Sequence, residues 1–186
     1  MALGASLGLG PVAMATAAAE NPTSAQTVVV PIARLSDQGL GSSLGHLTFR
    51  SLAGGGLEVI ADLRQLPPGP NGFHLHEHPD CGPGRVDGRL VAGGAAGGHW
   101  DPMGAAAHHG HGSGQDAAAL SAHQGHHNVL PLGDLPPLVA TVDGRASAAL
   151  PLPQFKDLAM IRGRSVLIHA GLHGPRLGCG VIPTQR

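Results

Sequence analysis

The chain has 186 residues, enough for one domain with a single buried core. Its 30 glycines and 16 prolines, against one tryptophan, three phenylalanines and no tyrosine, indicate a chain rich in turns and poor in helix. A formal net charge of −1 offers no basic patch for nucleic acid, whereas 13 histidines beside a single lysine, Lys156, point to metal.

From Ala2 to Ala19 there is no charged residue, and the stretch ends Ala17-Ala18-Ala19 before Glu20, which suits a small-residue cleavage site. Residues 1–19 therefore read as an export signal, and 20–26 as a flexible segment behind it. No Lys or Arg precedes the apolar part, a departure from the usual leader. Gly8, Gly10 and Pro11 interrupt it, so a stable membrane span is not expected, and no cysteine follows to carry a lipid.

Strands are predicted over 27–35, 44–52 and 57–63, with Gly54-Gly55-Gly56 as the tight connection between the last two. A short extended run over 72–77 follows and is stopped by Pro79. On it His74 and His76 share a face with Cα atoms roughly 6.6 Å apart, so both rings can reach one ion. The connection from His78 to about Leu135 is long enough to be functional or disordered. Its first part, 80–98, carries Cys81 and many glycines. Its second part, 99–134, carries seven of the 13 histidines, and the Ala/Gly/His/Gln stretch 105–128 is expected to be mobile. Strands over 138–142 and 146–150 flank Asp143-Gly144, the strongest two-residue hairpin signal in the chain. Residues 155–161 suggest a helical turn or two, and strands over 165–169 and 178–182 complete a set of eight. Short strands without a long amphipathic helix make the fold class all-β, an antiparallel sandwich or barrel.

Five motifs in order carry a resemblance: GFHLHEHPDC at 72–81, GGAAGGHWDP at 93–102, GDLP at 133–136, LIHAG at 167–171 and PRLGCGVI at 175–182. From about Thr27 to Ile182 the chain resembles the copper/zinc superoxide dismutase family in its bacterial, exported form. The resemblance implies an eight-stranded antiparallel Greek-key β-barrel, an immunoglobulin-like sandwich with long metal-site loops, spanning 27–186 with a His-rich loop at about 99–134. It implies superoxide as small-molecule substrate, turned into O2 and H2O2 at a histidine-ligated copper. His74, His76 and His169 match the histidines that bind copper alone. His99 matches the histidine that bridges copper and zinc, and Arg176 the arginine that guides the anion, so His99 and Arg176 carry the catalytic roles. Cys81 and Cys179 match the family's disulfide, which would close a loop of about 100 residues and contribute about 4.7 kcal/mol. Such a bond implies a periplasmic or secreted protein.

Zinc is where the chain departs from the family. His108 and Asp134 match two zinc ligands, but Pro131 stands where a third histidine belongs, and only His123, His126 or His127, with His127 preferred, could replace it. Between His169 and Arg176 the chain has only Ala170, Gly171, Leu172, His173, Gly174 and Pro175, leaving no room for the family's electrostatic loop or its bridging aspartate. Both departures resemble the copper-only branch, so copper is the expected cofactor and zinc a second one only if the inserted loop supplies the missing ligand. His46 is read as a packed strand residue, and His78, His109, His111 and His173 as histidines outside the copper set. Asp101 is read as shaping its loop. Oligomeric state stays open between monomer and homodimer. A metal-buffering protein on this fold is the alternative function, and an interaction domain without chemistry is another. Retention of all four copper histidines and Arg176 speaks against both.

Overall fold

The computed structural model describes residue 1, residues 26–104 and residues 131–184. The expectations for the export signal, the 105–128 stretch, and His108, His109, His111, His123, His126 and His127 lie outside these residues. Eleven strands are present among those described, all paired antiparallel. They are β1 (Thr27–Ser36), β2 (Gly39–Ser51), β3 (Leu57–Leu63), β4 (Gly69–Asn71), β5 (Phe73–His76), β6 (Gly84–Val86), β7 (Arg89–Val91), β8 (Leu138–Ala140), β9 (Ala146–Leu152), β10 (Arg164–His169) and β11 (Arg176–Ile182). All eight expected strands are among them.

Seven strands form one sheet in the order β5-β10-β11-β1-β2-β3-β9. The crossovers from β3 to β5 and from β9 to β10 carry the chain from one end of this order to the other, which makes the topology an all-β Greek key rather than a meander. Period-2 burial shows which face is the interior. Val28, Val30 and Ile32 of β1 are buried and alternate with exposed neighbours, and in β3 Leu57, Val59, Ala61 and Leu63 are buried and alternate with partly buried ones. All three phenylalanines of the chain, Phe49, Phe73 and Phe155, are fully buried in this core, each worth about 1.5–3 kcal/mol of burial. β10 is buried on both faces instead. A smaller apolar cluster of Leu35, Cys81, Ala96, Leu167 and Cys179 covers its second face with the loop that follows β5.

The hairpin expectation is corrected. Thr141 and Arg145 close a turn around Asp143-Gly144, but β8 pairs with β4 and β9 with β3, so no ladder joins the two flanking strands. Only Gly144, at φ 78°, has a positive φ there. The type I′ hairpin turn expected of Asp-Gly needs two, and that condition is met at Asp87-Gly88, with φ 49° and 77°, between β6 and β7. The expected helical turn is reduced to a 3-10 turn at Leu158–Met160, capped by the Asp157 carboxylate accepting from the Ala159 amide.

Candidate metal centre

β5 sets the geometry. Phe73 and Leu75 point into the core, so His74 and His76 must point to the other face. On one side β5 pairs with β10, placing His74 opposite Leu167 and His76 opposite Ser165, and His169 follows on the same face of β10 past a register shift. Its other side pairs with loop instead of strand. Trp100 donates its amide to the Leu75 carbonyl at 2.8 Å, Leu75 donates to the Gly133 carbonyl at 2.9 Å, and Gly133 donates to the Trp100 carbonyl at 2.8 Å. Bridges between His76 and His99 and between His74 and Asp134 result. Residues far apart in the chain thus meet because each completes the backbone pairing of β5.

His74, His76, His99 and His169 each offer a nitrogen, and these atoms all lie within 4.8 Å of one another. Which nitrogen is free follows from what the other one touches. His76 Nδ1 donates to the Gly97 carbonyl at 3.1 Å and His169 Nδ1 to the Gly174 carbonyl at 2.9 Å. A carbonyl only accepts, so in both rings Nδ1 carries the proton and Nε2 presents a lone pair. Both Nε2 atoms, and Nδ1 of His74, are buried without a hydrogen-bond partner. Such a nitrogen costs about 1–3 kcal/mol to bury unsatisfied, and three of them facing one point fit a metal that imidazole favours, copper above all.

Burial keeps these rings neutral. It is the largest cause in each case, lowering His74 to about 3 and His76 to about 2 from an ordinary 6.5, and lowering His169 as well. The neighbouring imidazoles act in the same direction, and the Gly97 hydrogen bond opposes it at His76. Between the folded and unfolded values only the unfolded chain takes up protons, so stability is full above about pH 6.5 and falls as pH drops through that window. The metal-free protein is therefore expected to melt lower at pH 5 than at pH 7, which scanning calorimetry at the two pH values checks. Equal midpoints would contradict neutral buried imidazoles.

His99 is held differently. Its Nδ1 lies 2.7 Å from Asp134 Oδ1, the carboxylate–histidine arrangement that orients metal ligands. With Nδ1 engaged by Asp134, Nε2 is the nitrogen that His99 has left to offer a metal. Pro131 has no ligand atom, and His108 and His127 lie outside the described residues. The described residues therefore fit one copper, and of the expected zinc ligands they hold His99 and Asp134 alone.

Arg176 begins β11, and its guanidinium donates to the Gly93 and Gly97 carbonyls, the latter at 2.8 Å. The Gly97 oxygen thus receives both the arginine and His76. Burial lowers the Arg176 pKa, yet a guanidinium so far above neutrality stays charged. Cys81 and Cys179 are bonded, with Cα atoms 5.7 Å apart, and tie the same loop to β11. His46 sits in β2 between Pro31 and Asp62, and neither it nor His78 joins the four-histidine group. His173 is close enough to His74 and His169 to disfavour their protonation.

Sequence reading missed Asn71. Its buried amide donates to the Pro67 and Gly69 carbonyls, both at 2.9 Å, and accepts from the Gly171 amide at 3.2 Å. Gly171 in turn accepts from Gly72, and Gly72 from His169, so Asn71 anchors the short connection that replaces a long loop. Its only signal was an Asn among turn residues, which reads as a turn. Gly174 was missed too, and a Cβ there would sit 1.9 Å from the Ala170 oxygen.

A family profile described as copper/zinc superoxide dismutase (SODC) matches residues 43–182. A copper/zinc superoxide dismutase of Haemophilus ducreyi is 37% identical over 171 residues, covering 86% of this chain and 78% of that protein. One of Brucella abortus is 36% identical over 173 residues, covering 87% of this chain and 91% of its own. Among solved structures, the Brucella abortus Cu/Zn enzyme aligns with a TM-score of 0.66 at 32% identity, over 84% of this chain and 99% of that one. The monomeric copper, zinc enzyme of Salmonella enterica aligns at 0.64 and 34% identity with the same coverage.

Proposed function

The chain belongs to the copper/zinc superoxide dismutase family, and from that premise we propose that it is a copper-dependent superoxide dismutase whose copper is held by His74, His76, His99 and His169 without zinc. The observation that carries this reading is the convergence of three buried, unpartnered imidazole nitrogens with the ring of His99, while Arg176 lies near enough to His76 and His169 to disfavour their protonation.

Bound copper supplies the one-electron couple by which one superoxide is oxidised to O2 and a second, with two protons, is reduced to H2O2. The chain's own residues do the rest. Gly97 and Gly174 fix the tautomers of His76 and His169, and Asp134 fixes that of His99 by accepting a hydrogen bond from its Nδ1. With Nδ1 turned to Asp134, Nε2 is the metal-facing atom of His99. Arg176 binds the anion: its two bonds to carbonyls lock the plane of the guanidinium, and its remaining N–H groups offer a fixed positive fork. Asn71 and Gly72 hold His169 and the six-residue connection to Arg176 in place without the family's longer loop.

The relatives are bacterial and the chain carries a disulfide, which supports export to the periplasm or medium, with 1–19 as leader and 27–186 as the mature domain. The test is metal analysis of the purified protein grown with copper and zinc, paired with a dismutation assay on the same sample. Close to one copper per chain, little zinc and full activity are expected. Equal copper and zinc would refute the zinc-free centre, and copper without dismutation would favour metal buffering.

A further inference from the structure

The chain's single tryptophan, Trp100, follows His99 directly. Its indole stacks on the core residue Phe155, with ring centroids 6.1 Å apart and planes 13° from parallel. The Arg164 guanidinium lies over the same indole, its Cζ 3.8 Å from the ring centroid. Arg164 opens β10, and its Nη1 reaches the Glu77 carbonyl at 3.4 Å, just beyond the end of β5. Its Nε is buried with no hydrogen-bond partner, so hydrogen bonding alone does not account for where this guanidinium sits. A cation taken partly out of water gains more from the face of an indole than an exposed one does, and Trp is the best aromatic for it.

The backbone of Trp100 is part of the ribbon that completes β5, donating to Leu75 and accepting from Gly133. Fixing the indole therefore fixes the segment that presents His99. We propose that Arg164 and Trp100 are the positioning residues of His99: the guanidinium-over-indole contact holds the fourth histidine against β5 with no second metal needed. The ligand role of His99 rests on the copper reading above, but the mount itself is a property of the metal-free chain. Asp134 sets the tautomer of His99, whereas Arg164 and Trp100 set where its backbone stands.

The full chain is compared with R164M, R164Q and R164K, and with His99→Ala as reference. Two quantities are read: acrylamide quenching of Trp100 fluorescence in metal-free protein, and the Cu(II) paramagnetic resonance spectrum after loading. R164M is expected to raise the quenching constant about twofold, to lower copper affinity about tenfold and to move the spectrum toward that of His99→Ala. R164K keeps a cation for the ring and restores most of both readings. R164Q keeps a donor for the Glu77 carbonyl while removing the cation, and gives the R164M result if R164M itself does not fold. Parent-like quenching and a parent-like spectrum in R164M or R164Q would overturn the mount, even if the melting temperature fell. Failure of the parent to bind copper would sink the copper reading instead, and the metal-free quenching contrast would still decide the mount.

Discussion

Replacing His76 with leucine is expected to weaken copper binding at least about a hundredfold and to abolish dismutation, because a direct ligand contributes no less than the outer groups that orient ligands. The same change is expected not to destabilise the metal-free protein at pH 7, and to stabilise it at pH 5. His76 is fully buried, its Nε2 has no partner, and the Gly97 oxygen it bonds keeps a donor in Arg176 when the imidazole is gone. Leucine removes an unsatisfied buried nitrogen and leaves no new one. At pH 5 it also removes a group whose folded value is about 2 against 6.5 unfolded, a penalty of about 2 kcal/mol. That corresponds to a midpoint about 4–8 °C above the parent at pH 5 for a domain of this size. Thermal melts of both metal-free proteins at the two pH values, with a copper titration, check it. A variant that melts several degrees lower at both values would show that the His76 hydrogen bond is needed to hold the loop after β5, independently of metal.

Removing the disulfide is expected to have the larger effect on stability. In the chain-entropy model a bond spanning 98 residues restricts the unfolded chain by about 4.7 kcal/mol. Both sulfurs are buried in the small cluster over β10, so a Cys81→Ala/Cys179→Ala protein also loses packing there. A midpoint drop of about 10–15 °C follows. Activity should fall further than stability explains at temperatures where the variant is still folded. The loop tied by Cys81 supplies the carbonyls of Gly93 and Gly97 that hold Arg176 and orient His76. An unchanged midpoint in the double variant would contradict the constraint, and unchanged activity per folded molecule would uncouple the loop from the site.

The strands and the facing pair His74 and His76 were legible because they are encoded locally, whereas His99 and His169 were singled out only by the resemblance of their motifs. Period-2 alternation in β1 and β3, and the spacing of His74 and His76, need nothing beyond the strand itself. What was not legible depends on backbone dihedrals and on distant partners. Asp143-Gly144 and Asp87-Gly88 are the same dipeptide, yet only the second has positive φ at both residues and makes a paired hairpin. The first turns the chain between two different partner strands, a choice made by β3 and β4 rather than by the turn. Pro131 was legible as standing where the resemblance expects a zinc histidine, but the direct meeting of Asp134 with His99 was not, since that contact is made across 35 residues. Asn71 reaches the Gly171 amide 100 residues further on, and Arg164 a carbonyl and a ring supplied by other elements, and their own neighbours in sequence hold no trace of these contacts.

The outer side of β5 has one more consequence. β5 is the end strand of the seven-stranded sheet, and its free amides and carbonyls are capped by two loop stretches, 98–100 and 133–135. These are the stretches that carry His99 and Asp134. The metal centre is therefore also the cover of a sheet edge, and whatever loosens those loops uncovers a row of unpaired backbone groups able to template pairing with a second chain. Self-association of the metal-free protein would then begin at β5, and copper would protect solubility by keeping that edge closed.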